Sequence, residues 1–209
     1  MGPTKIMIIR HAEKPGTYGG NEYKGINALG EKDKESLITL GWERAGGIAN
    51  LFDPSNGQFQ APELATPDFI YASDPETHHG TEPSQRPYQT ISALAGKLNV
   101  HPITTFRKSH YSNMVTAVLA LPVTQNAGTV LISWQHEDIL PQEPSDDSIV
   151  SELIQQTGST NLKVPTEPWP EDRYDMVFVF DRPSGSGAFT GFTQVPQMLL
   201  AGDSKMPIP

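Results

Sequence analysis

Lys5-Ile6-Met7-Ile8-Ile9-Arg10-His11 is the stretch that decides the fold of this 209-residue chain. Four apolar residues in succession, followed at once by two polar ones, are typical of a short strand buried in a covered sheet. In an open α/β sheet, ligands bind in the crevice beyond the carboxyl ends of the strands. The pattern therefore predicts that Arg10 and His11 face such a crevice. There, a permanent cation suits an anionic ligand, and an imidazole can act as a nucleophile or a base.

The rest of the chain alternates apolar runs with segments of helical spacing. Buried strands are predicted at residues 69–73, 129–134 and 175–180, and edge strands near 103–106 and 191–195. Helices are predicted at 37–52, 88–98, 111–121 and 148–156, whereas 16–35 is predicted to be a polar loop. This alternation predicts an α/β sandwich with a mostly parallel central sheet, and the length suits a single domain over residues 1–209.

Composition excludes several classes of function. The formal net charge of -9 argues against nucleic acid or an anionic membrane as a partner. The absence of cysteine excludes disulfides, thiolate catalysis and thiolate-ligated metals. Neither a secretory signal pattern nor an apolar run of membrane-spanning length is present, so a cytoplasmic location is the expectation.

Three of the predicted strands end in polar side chains. Arg10 and His11 follow the first, Ser73 ends the second, and His136 follows the third, while Arg86 lies at the start of the helix after Ser73. If these strands are parallel, two arginines and two histidines converge on one edge of the sheet. Guanidinium groups bind phosphoryl oxygens bidentately, and a helix start near Arg86 would add backbone N–H donors for the same anion. The sequence therefore predicts a phosphoryl-binding pocket.

Four ordered motifs carry a resemblance to a known family. They are Arg10-His11-Ala12-Glu13, Leu40-Gly41-Trp42-Glu43-Arg44-Ala45, Tyr71-Ala72-Ser73 followed by Gln85-Arg86-Pro87-Tyr88-Gln89-Thr90, and the strand 130–134 followed by His136. Together they span residues 5–140, and the chain resembles the histidine phosphatase superfamily (phosphoglycerate mutase-like, branch 1). The resemblance implies a three-layer α/β/α sandwich of the phosphoglycerate mutase type.

The resemblance also implies roles for the site residues. His11 would be the nucleophile that forms a phosphohistidine, and Arg10, Arg86 and His136 would bind the phosphoryl group and stabilise charge during transfer. No metal and no cofactor is expected, because phosphoryl transfer needs mainly positioning and charge stabilisation, which these residues can supply. Lys14 is a candidate substrate-binding residue in the loop after the first strand.

The proton donor is where the sequence departs most from the family pattern. Many members carry a glutamate in the segment corresponding to 104–113, which here has no carboxylate. Another branch uses an acid directly after the second histidine, where Glu137 stands. Phosphohistidine-directed members manage without a carboxylate donor, because imidazole is a better leaving group than an alkoxide. Either Glu137 is the general acid or there is no dedicated one.

Other departures affect the loops. The usual leucine after the serine of the second strand is replaced, residues 75–84 form a long polar insert before Arg86, and Gln135 stands where a glycine is common. Histidines and acids of that insert form a candidate metal cluster, but a polar loop is the preferred interpretation: Asp74, Glu76, His78, His79 and Glu82. For Glu13, a structural role in orienting an arginine is favoured over catalysis. Three residues are candidates for the rim of the pocket: Arg107, Lys108 and His110.

The predicted function is that of a metal-independent phosphatase, a phosphoric monoester or phosphohistidine hydrolase acting on a phosphorylated small molecule or a phosphoprotein. A phosphomutase on the same scaffold and a non-catalytic module that binds phosphorylated ligands are the alternatives. Specificity is expected from loops 16–35, 74–85 and 105–113 and from the C-terminal segment. The sequence contains no motif that identifies the substrate or the oligomeric state.

Overall fold

The structure is a computed structural model that describes residues 1–76, 84–123, 128–143 and 145–209. Strands and helices alternate along most of the chain. Numbered in chain order, the strands are β1 (Lys5–Arg10), β2 (Gly16–Tyr18), β3 (Asn21–Tyr23), β4 (Phe69–Ala72), β5 (Thr129–Trp134), β6 (Met176–Asp181) and β7 (Gly191–Pro196). The helices are α1 (Thr39–Phe52), α2 (Arg86–Leu98), α3 (Tyr111–Leu119), α4 (His136–Ile139) and α5 (Ile149–Thr157), with a 3₁₀ turn at Lys108–His110.

The described strands form a five-stranded sheet in the order β4-β5-β1-β6-β7, together with a separate β2–β3 hairpin. Strand β5 lies between β4 and β1 and pairs with both in parallel. Strand β6 pairs antiparallel with β1, and β7 pairs antiparallel with β6, so β7 again runs in the direction of β1. The prediction of a mostly parallel central sheet is confirmed, with β6 as the strand that runs in the opposite direction.

Helices cover both faces of this sheet. Successive side chains of a strand point to opposite faces. Ile6 and Ile8 therefore pack in a core with residues of α3 and α5, whereas Met7 and Ile9 pack in a second core with residues of α1 and α2. All four are fully buried, which explains why β1 is an uninterrupted apolar run rather than an alternating one. The three-layer α/β/α arrangement is confirmed.

Two segments differ from the sequence prediction. The polar loop predicted at 16–35 contains the β2–β3 hairpin, whose turn residues Gly19 and Gly20 have φ angles of +57° and +82°. Two consecutive positive φ angles are what a tight hairpin turn requires, and glycine adopts them without a steric penalty. No edge strand forms at 103–106: Ile103 makes an isolated parallel bridge to Tyr71. Pro102, immediately before it, has no N–H to extend the ladder.

Within the described ranges, none of the helices combines the length and the apolar character needed to cross a lipid bilayer.

Candidate functional site

The candidate site lies at the carboxyl edge of the parallel strands. His11 directly follows β1 and His136 begins α4 two residues after β5, while Ser73 is buried just beyond β4. The pairing of β1 with β5 continues past the ends of the strands, because the His11 N–H donates to the Trp134 carbonyl at 2.8 Å. Parallel pairing therefore brings the polar ends of these strands to one place.

Arg10 is fully buried, and only one of its three guanidinium nitrogens, Nη1, has hydrogen-bond partners among the described residues. Its Nη1 donates to three backbone carbonyls, those of Pro170, Glu171 and Arg173, at 3.0, 2.7 and 2.9 Å. The guanidinium carbon lies 3.9 Å from the centre of the Tyr174 ring. Among the described residues, Nε and Nη2 have no hydrogen-bond partner. Nε–H and Nη2–H lie along one edge of the guanidinium and form a fork that suits two oxygens of an anion.

His11 is held as a neutral imidazole with a defined tautomer. Its Nδ1 lies 2.7 Å from the Ala12 carbonyl oxygen. Because a carbonyl can only accept, Nδ1 carries the hydrogen and Nε2 keeps its lone pair. Burial lowers the pKa of His11 well below its usual value, and the charges of Arg10 and Arg86 lower it further. At neutral pH the side chain therefore presents an unprotonated Nε2, which is what a nucleophile needs.

Arg86 begins helix α2, and the helix start is tied to the loop after β1. The Thr90 hydroxyl donates to the Arg86 carbonyl at 2.7 Å and accepts from the Ala12 N–H at 2.8 Å. The Arg86 side chain donates through Nη1 to the Lys34 carbonyl at 3.2 Å and lies 3.8 Å from the Glu35 carboxylate. Its Nε is buried and has no partner among the described residues. Arg86 therefore retains a donor for a ligand.

His136 and Glu137 form a close pair. Nδ1 of His136 lies 2.8 Å from a carboxylate oxygen of Glu137, but the direction of the N–H does not make this a well-aligned hydrogen bond. Burial lowers the pKa of His136, while the neighbouring carboxylate opposes that shift. Burial alone would raise the pKa of Glu137, but His136 and a backbone N–H outweigh it and lower the pKa to about 2. Glu137 is therefore ionised at neutral pH.

Lys14 and Glu13 take different positions in the loop after β1. Lys14 is half-buried, and its charge lowers the pKa of His136, which places it within electrostatic range of the site. Glu13 is buried and accepts from Nε and Nη2 of Arg44 at 2.9 and 2.8 Å, and Arg44 also donates to Asp203 at 2.7 Å. Glu13 thus contacts an arginine of α1, in keeping with a structural role.

Two site residues escaped the sequence analysis. Tyr174 immediately precedes Asp175 and strand β6, and β6 runs antiparallel to β1, so its beginning lies at the edge where β1 ends. The sequence has no motif in 170–174 that predicts the position of Tyr174 beside Arg10.

Asp138 follows Glu137 and accepts from Trp134 Nε1 and Gln135 Nε2 at 3.1 and 2.6 Å. Burial raises the pKa of Asp138 to about 6 even though these bonds oppose the shift.

The candidate rim residues lie in and beside the 3₁₀ turn at Lys108–His110. The Lys108 carbonyl accepts from Trp134 Nε1 at 3.2 Å, and the Lys108 charge acts on Asp138, so this turn packs beside α4. Arg107 is half-buried and His110 is exposed.

The candidate metal cluster falls mostly outside the described residues, because His78, His79 and Glu82 lie in the gap between 76 and 84. Across the ranges that the structure describes, no group of three histidine, aspartate or glutamate side chains is arranged to hold a metal ion.

Taken together, the site combines a neutral imidazole with a buried arginine, Arg10, and a half-buried one, Arg86, each of which has a donor without a partner among the described residues. Among the described residues, the unpartnered buried donors include Nε and Nη2 of Arg10 and Nε of Arg86, whereas Nδ1 of His136 lies against the Glu137 carboxylate. Burying a polar group without a partner is costly, so such a cluster of donors indicates a site for a ligand that accepts hydrogen bonds. The two arginines carry positive charge, which favours an anion.

No protein-family model and no curated protein matches the sequence. Among solved structures, the chain is similar to a protein assigned as the phosphohistidine phosphatase SixA from Agrobacterium tumefaciens, with 15% identity, a TM-score of 0.41 and coverage of 92% of this chain and 96% of the other. A mutant phosphoserine phosphatase from Entamoeba histolytica in complex with phosphoserine matches with 15% identity, a TM-score of 0.43 and coverage of 94% and 98%. A protein assigned as SixA from Nakamurella multipartitia matches with 15% identity, a TM-score of 0.44 and coverage of 94% and 98%. Similarity this low shows nothing about activity, so any functional conclusion must rest on the site residues.

Proposed function

We propose that this chain is a phosphatase of the histidine phosphatase superfamily, which hydrolyses a phosphoric monoester or a phosphohistidine through a covalent phosphohistidine on His11. In this proposal Arg10, Arg86 and His136 bind the phosphoryl group, Lys14 contacts the substrate, and no metal takes part. The substrate is a phosphorylated small molecule or a phosphoprotein.

The observation that carries the proposal is the way Arg10 is held beside His11. Three carbonyls and the Tyr174 ring fix the guanidinium, and the Nε–Nη2 edge is left without a partner among the described residues. A buried fork of this kind matches two phosphoryl oxygens. The next residue in the chain, His11, offers an unprotonated Nε2. Consecutive residues therefore supply the cation that binds the phosphoryl oxygens and the nucleophile that attacks phosphorus.

The reaction takes two steps. In the first, the Nε2 lone pair of His11 forms a bond to phosphorus while the bond from phosphorus to the leaving group breaks, and the leaving group departs with the electron pair. The positive charge that develops on the imidazole is stabilised by the Nδ1–H bond to Ala12, and the arginines stabilise the phosphoryl oxygens. In the second step, water attacks phosphorus, the bond to Nε2 breaks, and inorganic phosphate leaves.

Glu137 is the candidate proton donor to the leaving group. Its pKa of about 2 means that the carboxyl is seldom protonated at neutral pH before substrate binds. A bound phosphoryl dianion would favour its protonation, because a like charge nearby raises the pKa of a carboxyl. Substrates with good leaving groups do not need that proton. The proposed substrates are therefore those whose leaving group is an imidazole or an aryl oxide, ahead of simple alkyl phosphates.

The decisive experiment measures hydrolysis of p-nitrophenyl phosphate and capture of the intermediate. We expect the wild type to release phosphate, and we expect a phosphoryl group that is trapped by alkaline denaturation, stable to base and labile to acid, to map to His11. His11→Ala should abolish both, with a loss of activity of at least about 1000-fold. His101→Ala is the matched control, since His101 is an exposed histidine outside the site.

Two further measurements, phosphonate binding and phosphoryl transfer within one substrate, separate the two rival functions. A protein that binds phosphonates but releases no phosphate and forms no phosphohistidine would be a phospho-ligand-binding module instead. A protein that forms phosphohistidine but passes the group to a second position of the same substrate faster than to water would be a phosphomutase.

A further inference from the structure

Tyr18 connects the β2–β3 hairpin to two parts of the candidate site. It is the last residue of β2, and its side chain is half-buried. Its hydroxyl donates to the Lys14 carbonyl at 2.8 Å and lies 3.2 Å from the Tyr174 hydroxyl. We infer that Tyr18 is a positioning residue for substrate binding, which fixes the backbone of Lys14 so that the lysine side chain contacts the substrate. This inference rests on the proposed function.

The two hydrogen bonds of the Tyr18 hydroxyl have opposite directions. A phenol has one hydrogen to donate and a carbonyl can only accept, so this hydrogen lies on the Lys14 carbonyl, and the Tyr174 hydroxyl is the donor in the other bond. Burial and the hydrogen bond with Tyr174 raise the pKa of Tyr18 above its usual value. The Tyr18 hydroxyl therefore keeps its proton throughout the neutral pH range and can donate to Lys14 at every pH in that range.

Lys14 lies between two residues whose backbones are restrained in other ways. The Glu13 carbonyl accepts from the Ile38 N–H at 3.1 Å, which ties the residue before Lys14 to the start of α1. The ring of Pro15 fixes its own φ and disfavours a helical conformation of the residue before it. The Tyr18 hydroxyl supplies the Lys14 carbonyl with a donor, so the peptide between these two residues is fixed as well.

The charge of Lys14 acts on the candidate site. Burial is the main cause of the lowered pKa of His136, and the charges of Arg10 and Lys14 add to it. A lysine side chain loses conformational freedom when it binds an anion, and a backbone that is fixed beforehand reduces that loss. Fixing the Lys14 peptide therefore favours substrate binding without adding a group to the chemical step.

The hairpin in turn holds Tyr18. The ring of Tyr23 in β3 packs edge-on against the Tyr18 ring, with 6.0 Å between the ring centroids. Tyr18 also pairs with Asn21 across the hairpin. Of the residues that the structure describes, those of β2 and β3 belong to neither of the two cores that flank the sheet. We therefore expect the hairpin to support the site more than the core.

The test is a double-mutant cycle between Tyr18 and Lys14, with KM and kcat measured for p-nitrophenyl phosphate at low salt. Lys14→Gln should raise KM about fivefold, as the loss of one exposed charge contact would. Tyr18→Phe keeps the ring and loses the hydroxyl. It should raise KM about threefold and leave kcat within about twofold, because a contact made equally in the ground and transition states changes KM alone. In the Lys14→Gln background, Tyr18→Phe should leave KM unchanged.

The matched control is Tyr23→Phe, the same substitution on the other strand of the hairpin. Tyr23 is 43% exposed, and phenylalanine keeps its ring contact with Tyr18. Tyr23→Phe should have the KM and kcat of the wild type, which excludes a general effect of removing a phenol from the hairpin.

The outcomes distinguish this inference from the proposed function. If Lys14→Gln raises KM and Tyr18→Phe does not, the inference is wrong and the proposed role of Lys14 stands. If the two effects add in full, Tyr18 acts through another contact, and the inference is again wrong. If Lys14→Gln leaves KM unchanged, the role of Lys14 is wrong and the inference falls with it, although hydrolysis still supports the proposed reaction. If the wild type hydrolyses nothing, the proposed function itself is wrong, and so is the inference.

Discussion

Arg10 and Tyr174 are in direct contact, with the guanidinium carbon 3.9 Å from the centre of the ring. The Tyr174 hydroxyl also forms a hydrogen bond of 3.2 Å with the Tyr18 hydroxyl, which ties the ring to strand β2. A residue just before β6 thus holds the arginine that precedes the proposed nucleophile. The orientation of the phosphoryl-binding fork depends on this contact and on the three carbonyls beside it.

Tyr174→Ala should weaken catalysis through Arg10. A desolvated cation–π contact contributes about 2 kcal/mol, which corresponds to a loss of up to about 30-fold in kcat/KM for p-nitrophenyl phosphate. Tyr174→Phe keeps the ring and loses only the contact with Tyr18, so it should stay within about threefold of the wild type. Equal losses in the two variants would show that the hydroxyl, and not the ring, is what matters.

The pKa of His11 predicts how activity and stability depend on pH. Since burial and the charges of Arg10 and Arg86 lower that pKa well below its usual value, the acid limb of kcat/KM should lie clearly below pH 6.5. The unfolded chain binds the proton more readily than the folded protein does. The free energy of unfolding should therefore decrease as the pH falls below about 6.5.

An NMR titration of the His11 ring protons checks this without any assay of activity. In Arg86→Gln, one of the charges that lower the pKa is removed, so the titration midpoint should move upward, toward the usual histidine value. A midpoint that stays unchanged in this variant would mean that Arg86 is too far from His11 to contribute to the pocket.

Arg44 should be the most sensitive position for stability. It is 3% exposed and pairs with both Glu13 and Asp203, so Arg44→Met leaves two buried carboxylates without a cation. We expect the free energy of unfolding at pH 7 to fall by about 3–5 kcal/mol, measured by urea denaturation. The control Lys5→Met breaks the more exposed pair with Asp181 and should cost less than about 1 kcal/mol.

The effect of Arg44→Met should shrink in acid. Burial opposes the ionisation of Asp203, but Arg44 outweighs burial and lowers its pKa. The stability that this carboxylate contributes is therefore fully present above its unfolded pKa of 3.8 and is lost as the pH falls through the folded value. In the variant, the Asp203 carboxyl becomes neutral more easily, so the gap to the wild type at pH 4 should be smaller than at pH 7. A constant gap would point to lost packing instead of lost charge pairing.

Glu137→Gln tests proton donation by varying the leaving group. If Glu137 protonates the leaving oxygen, an alkyl phosphate such as phosphoserine should lose about 100-fold in kcat, the lower end of what general acid catalysis contributes. The aryl substrate p-nitrophenyl phosphate should change by less than about threefold, because its leaving group needs no proton. Equal effects on both substrates would mean that Glu137 acts by positioning His136.

The fold was predictable where burial leaves a strong pattern. Strands β1, β4 and β5 are covered on both faces of the sheet, so each is a short apolar run that is followed by polar residues. The direction of β6 was not predictable, because an apolar run looks the same whichever way the strand runs. That direction is what brings Tyr174 and the carbonyls of residues 170, 171 and 173 to Arg10.

The sequence of the loop 16–35 contains one signal that favours the observed hairpin. Gly19-Gly20 is a pair that favours tight hairpin turns, and the strands on either side are only three residues long and exposed or half-buried. Without an apolar pattern on either side, the glycine pair alone does not distinguish a hairpin from a polar loop. The low pKa of Glu137 could likewise not be predicted from the sequence, because it depends on the 2.8 Å contact with His136.

The sheet order has a consequence for how the protein folds. Strand β1 is made first, yet its partners are β5 and β6, and the contact from Lys5 to Asp181 spans 176 positions. Pairings this distant in sequence form slowly, because a long loop must close before the contact forms. During synthesis, the apolar β1 must therefore wait for most of the chain to emerge, and the carbonyls that anchor Arg10 are made 160 or more positions after it. A nascent chain of this protein thus exposes an apolar strand for longer than one built from neighbouring hairpins, which favours aggregation.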